Sequence, residues 1–140
     1  MADYQVISID EVTRRVSITP PFPPRKVEGI FNLIQIVVLA IYNSPGRNVF
    51  TPERGSGLPA LIGTNLGGSD PTEAIALVTE RIEKIKDEII EEQNSLRRQR
   101  PSERLSDLEV VSVDSGSQID EIVVKLRLIS EAGDITTIAI

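Results

Sequence analysis

The last proline of the chain, Pro101, separates two hydrophobic periods that cannot belong to one kind of secondary structure. Before it, Ile75, Val78, Ile82, Ile85, Ile89 and Leu96 recur at spacings of three, four and seven with charged residues between them, which puts one apolar stripe on a long helix. After it, Ile122, Val124, Leu126 and Leu128 alternate with Val123, Lys125, Arg127 and Ile129, the period of a strand with one buried face. Each face needs an apolar partner, so the helix is expected to lie on the sheet. The fold class that follows is α+β.

The long helix has clear start signals. Ser69 or Asp70 serves as N-cap, Pro71 suits the first helical position, and Glu73 puts a carboxylate where the helix dipole favours one. Arg97, Arg98 and Arg100 sit at the opposite end, where solvated cations complement the dipole. Beyond Pro101, strands are predicted over Leu108 to Asp114, around Ile122 to Ile129, and over Ile135 to Ile140. Turns at Asp114-Ser115-Gly116-Ser117 and Glu131-Ala132-Gly133-Asp134 join them into a small antiparallel sheet.

Upstream, Lys26 to Ser44 reads as a second helix whose polar residues Glu28, Asn32, Gln35 and Asn43 form one narrow stripe. A helix apolar over most of its girth has to be covered from more than one side. Its own domain can wrap it, or a partner can supply one layer. The aromatics Tyr4, Phe22, Phe31, Tyr42 and Phe50 all fall in this half, which places the bulkier packing here. Arg47 to Gly68 is a loop rich in glycine and proline, with a short helix expected over Leu58 to Leu66. Residues 1–25 alternate like strands and then meet Pro20, Pro21, Pro23 and Pro24, so they form either an extended N-terminal arm or an edge hairpin. Residues 26–140 form a single domain, in keeping with a chain of 140 residues.

The inventory of side chains narrows function. The chain has no cysteine and no histidine, which removes thiolate and imidazole metal ligands and every Cys- or His-based catalytic arrangement. Glu53 is the only acid in the glycine-rich loop and there is no tryptophan, so the paired carboxylates and aromatic platforms of a glycosidase are missing. The glycines fit neither a Walker A loop nor a dinucleotide fingerprint. No enzyme activity, cofactor or metal is expected. The net charge of −6 disfavours nucleic acid and anionic membranes, which leaves proteins as partners. The run from Ile30 to Tyr42 is too short to span a membrane, and no secretory or transit signal is read in the first residues.

A strand over Ile135, Thr136, Thr137, Ile138, Ala139 and Ile140, apolar and without proline or charge after Asp134, is a pairing edge that has to be covered. The protein's own sheet can cover it, or a partner's extended segment can add to it.

The stretch Ser44-Pro45-Gly46-Arg47-Asn48-Val49-Phe50-Thr51-Pro52-Glu53-Arg54-Gly55-Ser56-Gly57-Leu58 resembles the signature of the baseplate wedge and sheath-initiator family of contractile tails. Pro45, Gly46, Pro52, Glu53, Gly55 and Ser56 match it, and Arg54 stands where that family usually carries an aromatic. Arg104, with Glu103 beside it, corresponds to part of the family's Glu-Pro-Arg motif between long helix and sheet. The order of elements over residues 26–140 is similar too. The resemblance implies a structural subunit of a six-fold baseplate in the virion tail, assembled in the host cytoplasm. Its implied partners are the tail sheath protein, the baseplate wedge proteins and the inner tail tube or hub proteins. It also implies that the C-terminal strand pairs with a sheath segment and so templates sheath polymerisation. A bacterial injection device of the same kind fits equally well. The competing reading is a cytosolic adaptor that dimerises through the stripe from Ile75 to Leu96.

Overall fold

The computed structural model is described over residues 3–42, 71–96, 100–115 and 122–140. Four two-residue strands come first: β1 (Asp3–Tyr4), β2 (Ser8–Ile9), β3 (Val16–Ser17) and β4 (Lys26–Val27). Helix α1 (Ile30–Tyr42) and the 26-residue helix α2 (Pro71–Leu96) follow. A 3-10 turn at Pro101–Glu103 then leads into β5 (Leu105–Ser115), β6 (Ile122–Ser130) and β7 (Ile135–Ala139). The last three strands form one antiparallel sheet in the order β5-β6-β7. The chain is α+β, as the two hydrophobic periods require.

The alternation in β6 sets the sheet's faces. Val124, Leu126, Leu128 and Ser130 are buried on one side while Lys125 and Arg127 are exposed on the other. Leu126 lies opposite Val110 and Ile138, and Leu128 opposite Leu108, so the buried face is continuous across all three strands. Gly133, at a φ of 91°, closes the predicted turn after β6, in a conformation that residues with a Cβ rarely adopt. The Gly133 amide donates to the Ser130 carbonyl at 3.0 Å, and the Ser130 amide donates to the Asp134 carbonyl at 2.9 Å.

Helix α2 lies against β5 with its stripe turned inward. Val78, Ile82 and Ile85 are fully buried and Ile89 nearly so, whereas Ile75, one turn earlier, is 45% exposed. Four of the positions that could seed a coiled coil between two copies, Val78, Ile82, Ile85 and Ile89, are thus spent on the protein's own core.

Helix α1 starts later than the sequence suggests. Lys26 and Val27 belong to a strand, and Gly29, at a φ of 69°, turns the chain into the helix from outside helical space. The helix is wrapped by its own chain: Leu33, Ile34, Val37, Val38 and Ile41 are buried in the core. The narrow polar stripe is not its solvent face, since Asn32 and Gln35 are only 1% and 5% exposed. Apolar exposure is left at Leu39 and Tyr42.

The N-terminal residues are extended, and they fold back onto the domain. β1 pairs with β4, β2 pairs with β3, and Ile7 and Val16 are buried in the same core as Leu33 and Leu126. Of the described aromatics, only Phe31 packs against the core. Phe22 is 96% exposed and Tyr4 and Tyr42 are exposed as well, and the buried hydrophobics among the described residues are Ile, Leu and Val with Ala139. The expected short helix over Leu58 to Leu66, the cap at Ser69 or Asp70, and Asn43, Phe50, Arg97 and Arg98 lie outside the described residues. Arg100 is exposed at the surface, 3.6 Å from Glu28.

Truncating a fully buried isoleucine removes its transfer energy and leaves a cavity. Ile82→Ala and Ile85→Ala should each lower the unfolding free energy by about 3 kcal/mol. Ile75→Ala should change it by less than about 1 kcal/mol. Urea titrations at unchanged slope check both, and equal effects at all three positions would place the stripe elsewhere than in the core.

Candidate protein-interaction edge

Arg104 and Glu103, carried forward from the sequence, stand at a buried polar junction. The Glu103 carboxylate is 1% exposed and accepts the Gly29 amide at 3.0 Å, at the start of α1 where the helix dipole favours negative charge. Arg104 lies 3.2 Å from the Glu131 carboxylate and donates to the side chain of Asn94, and its carbonyl accepts the Glu131 amide at 2.9 Å. Buried Gln93 of α2 completes the junction. Its Oε1 accepts the Leu105 amide at 2.8 Å and its Nε2 donates to the Glu103 carbonyl at 3.0 Å. Together these contacts join the start of α1, the end of α2, the entry to β5 and the β6–β7 turn, and so they fix where β7 lies. The remaining motif residues, Pro45, Gly46, Pro52, Glu53, Gly55 and Ser56, lie outside the described residues.

The sheet has two edges, and they differ. On β6 the paired bonds between Val124 and Ile140, 2.9 Å each, set the parity of both neighbouring ladders. Ile135, Thr137 and Ala139 therefore turn their backbone groups away from β6, and on the other side Leu108 and Val110 of β5 do the same. The β5 edge is broken by two register shifts, between Leu105 and Asp107 and between Val110 and Ser112. Its Leu108 amide is taken by the Asp107 carboxylate at 2.9 Å, and that carboxylate lies 3.7 Å from Lys86 of α2. Bulges and an inserted charge are the usual ways to blunt an edge. β7 has neither, and Ile135 at its start is 66% exposed.

What lies against β7 is the turn between β2 and β3. The Asp10 carboxylate accepts the Val12 and Thr13 amides, both at 2.9 Å, and the Asp10 carbonyl accepts the Arg14 amide at 2.8 Å. Arg14 is forced to a φ of 59°, in left-handed space unusual for a residue with a side chain. Its carbonyl accepts the Ala139 amide at 2.9 Å, its Nε donates to the Thr137 carbonyl at 3.1 Å, and its Nη2 donates to Thr136 Oγ1 at 2.8 Å. Arg15 forms a single parallel bridge with Ala139. A cleft of about 240 Å³ remains between Val12–Arg14 and the sheet at Lys125 and Thr137.

Sequence reasoning singled out β7 and Arg104 but missed Arg14, Gln35 and Gln93. The Asp10 turn carries a readable signal, an aspartate opening a short turn between two strand-like runs. Nothing local marks Arg14, whose partners lie more than 120 positions away (|i−j| of 123 and 122). Among the described residues no group of His, Cys, Asp or Glu could hold a metal ion, and no helix is long and apolar enough to cross a membrane. Compared with models of known protein families, with curated proteins and with solved structures, the chain matches none.

Two expectations follow. Gln93→Leu keeps the volume but leaves the Leu105 amide and the Glu103 carbonyl buried without partners, so it should lower stability by about 2–4 kcal/mol in denaturant titration. A loss below about 1 kcal/mol would mean that the junction does not depend on this amide.

The amides of Thr13 first and Val12 second hold the Asp10 carboxyl below its ordinary pKa. The turn's stabilisation is therefore complete above the unfolded-state value and is lost as pH falls through the lowered folded value. The Val12 and Thr13 amide shifts, followed by NMR from about pH 6 down to 2, should titrate below the usual aspartate midpoint of about 3.9. In Asp10→Asn that transition should vanish.

Proposed function

We propose that the protein is a structural subunit of a contractile-tail baseplate, at the junction with the sheath, and that β7 pairs with an extended segment of the tail sheath protein to template sheath polymerisation. The observation that carries this reading is the contrast between the two sheet edges. β5 is blunted by its own bulges and by Asp107, whereas β7 is straight, apolar at Ile135 and bulge-free. Backbone pairing at such an edge supplies affinity, and alternate side chains supply register.

The order of elements supports the same reading. An apolar helix, a long helix and a C-terminal antiparallel sheet follow one another as the resemblance implies, and the Arg104 junction connects long helix to sheet. In such an assembly the wedge proteins and the inner tube or hub would contact other surfaces of the subunit, in six-fold array. The exposed Leu39 and Tyr42 of α1 are candidates for that packing. No catalysis is assigned, and the location is the virion tail.

Removing the whole strand is a poor test, because Ile138 is fully buried in the core. Thr137→Pro is better suited. The Thr137 amide points away from β6, so proline costs the sheet no internal bond while denying one to an added strand. The variant should unfold within a few degrees of the parent, yet fail to capture sheath protein in a pull-down and yield baseplates without sheath. Normal contractile tails from Thr137→Pro would rule out pairing at β7.

A further inference from the structure

We propose that the Asp10–Arg15 turn is a removable cover on the β7 edge, which the incoming sheath segment displaces by taking over the bonds of Arg14. This rests on the reading of β7 as the pairing edge.

The geometry of the cover is that of a strand cut short. If the bridge between Arg15 and Ala139 continued as a parallel ladder, the Arg14 carbonyl would take the Ala139 amide and the Arg14 amide would reach the Thr137 carbonyl. The first bond is present. The second is not, because the Arg14 amide is held by the Asp10 carbonyl inside the turn. The guanidinium substitutes for it: Nε donates to the Thr137 carbonyl from a side chain that reaches back along the strand. The chain then curls away, and the Thr137 amide and both backbone groups of Ile135 have no hydrogen-bond partner among the described residues.

An added strand would satisfy everything the cover satisfies and also the groups it leaves out. Its carbonyls would take the Ala139 and Thr137 amides, and its own amide would take the Thr137 carbonyl. The two cannot be there together. Arg14 therefore sets a competition between the protein's own N-terminal turn and the partner.

The competition is winnable because of where the cover sits. The bond from Arg14 to Thr137 is solvent-exposed, Val12 at the tip of the turn is 92% exposed, and water can replace each bond as it opens. The hairpin's anchors, Ile7 and Val16, are buried in the core on the other side of the turn, so the tip can lift without unfolding the domain. Arg14 also occupies left-handed space, a backbone cost that opening relieves.

The test uses the full chain and the Arg14→Ala and Arg14→Lys variants. Lysine keeps the charge but lacks the planar fork that reaches two acceptors at once. Amide exchange followed by NMR should show Ala139 exchanging through a local opening, faster than Leu126 on β6. Lysine, which can keep one of the two bonds, should speed Ala139 by about fivefold and alanine, which loses both, by more, while Leu126, which exchanges only when the sheet itself opens, should stay the slower of the two in every chain. Purified sheath protein should bind Arg14→Lys about fivefold more tightly than the parent and Arg14→Ala more tightly still, each by the factor its own exchange reports.

Ala139 exchanging no faster than Leu126 in the parent would overturn the cover. So would sheath protein that binds parent and Arg14→Ala alike while Thr137→Pro abolishes binding, an outcome that would leave the pairing edge itself intact. If sheath protein binds none of the chains, the proposed function fails, and the exchange comparison still decides whether the turn opens.

Discussion

Extended backbone shielded from water has to have its outward hydrogen-bonding groups satisfied, and this chain meets that constraint with side chains where it lacks strands. Buried Gln35 of α1 accepts the Val6 amide at 2.8 Å and donates to the Tyr4 carbonyl at 2.9 Å. Buried Gln93 of α2 accepts the Leu105 amide and donates to the Glu103 carbonyl. In both pairs the amide and the carbonyl come from residues two apart, adjacent on one side of an extended segment, which is how a neighbouring strand would engage them. A primary amide presents an N–H donor and an oxygen acceptor on the same side, as the N–H and C=O of one residue in a neighbouring strand do. The two glutamines thereby attach the N-terminal segment to α1 and the entry of β5 to α2. Without them the segments could not be buried at this cost, because each unpaired backbone group would forfeit its solvation.

That device also explains which parts of the fold could be read from the sequence. The α2 stripe, the inward face of β6 and the turn at Glu131 to Asp134 are local or periodic, and each was legible because its signal repeats over a few residues. Gln35 was legible only as a member of a polar stripe, and the natural reading of such a stripe is a solvent face. Its burial depends on a segment about 30 positions earlier in the chain (|i−j| of 29 and 31), and no period encodes that. Glu103 and Arg104 were noticed for a motif rather than for the helix start and the turn that they hold. Phe22 departs from expectation for a related reason. Residue size predicts burial on average, but Phe22 sits in a run of prolines whose fixed backbone carries it away from the core.

The unequal sheet edges follow from the same topology. α2 lies along β5, and the strand that leaves the Gln93 clamp is irregular from its start, with a register shift between Leu105 and Asp107. The shift turns Asp107 toward its own edge, where it takes the Leu108 amide and meets Lys86 of α2. β7 follows a tight glycine turn and pairs with β6 in unbroken register, so nothing in its own residues blunts it. Protection has to come from elsewhere in the chain, and the N-terminal hairpin is anchored near enough to reach it.

Arg14 then repeats the pattern of the two glutamines with different parts. A carbonyl from its backbone and a donor from its side chain meet the Ala139 amide and the Thr137 carbonyl, again two residues apart. What differs is burial. Gln35 and Gln93 are 5% and 3% exposed, so breaking their bonds means unfolding the packing around them. The bond from Arg14 to the Thr137 carbonyl is exposed, and in water such a bond has a net worth of about 1 kcal/mol. One motif thus serves two purposes according to depth. Buried, it joins segments permanently; at the surface, it holds an edge closed with an energy that another strand can exceed.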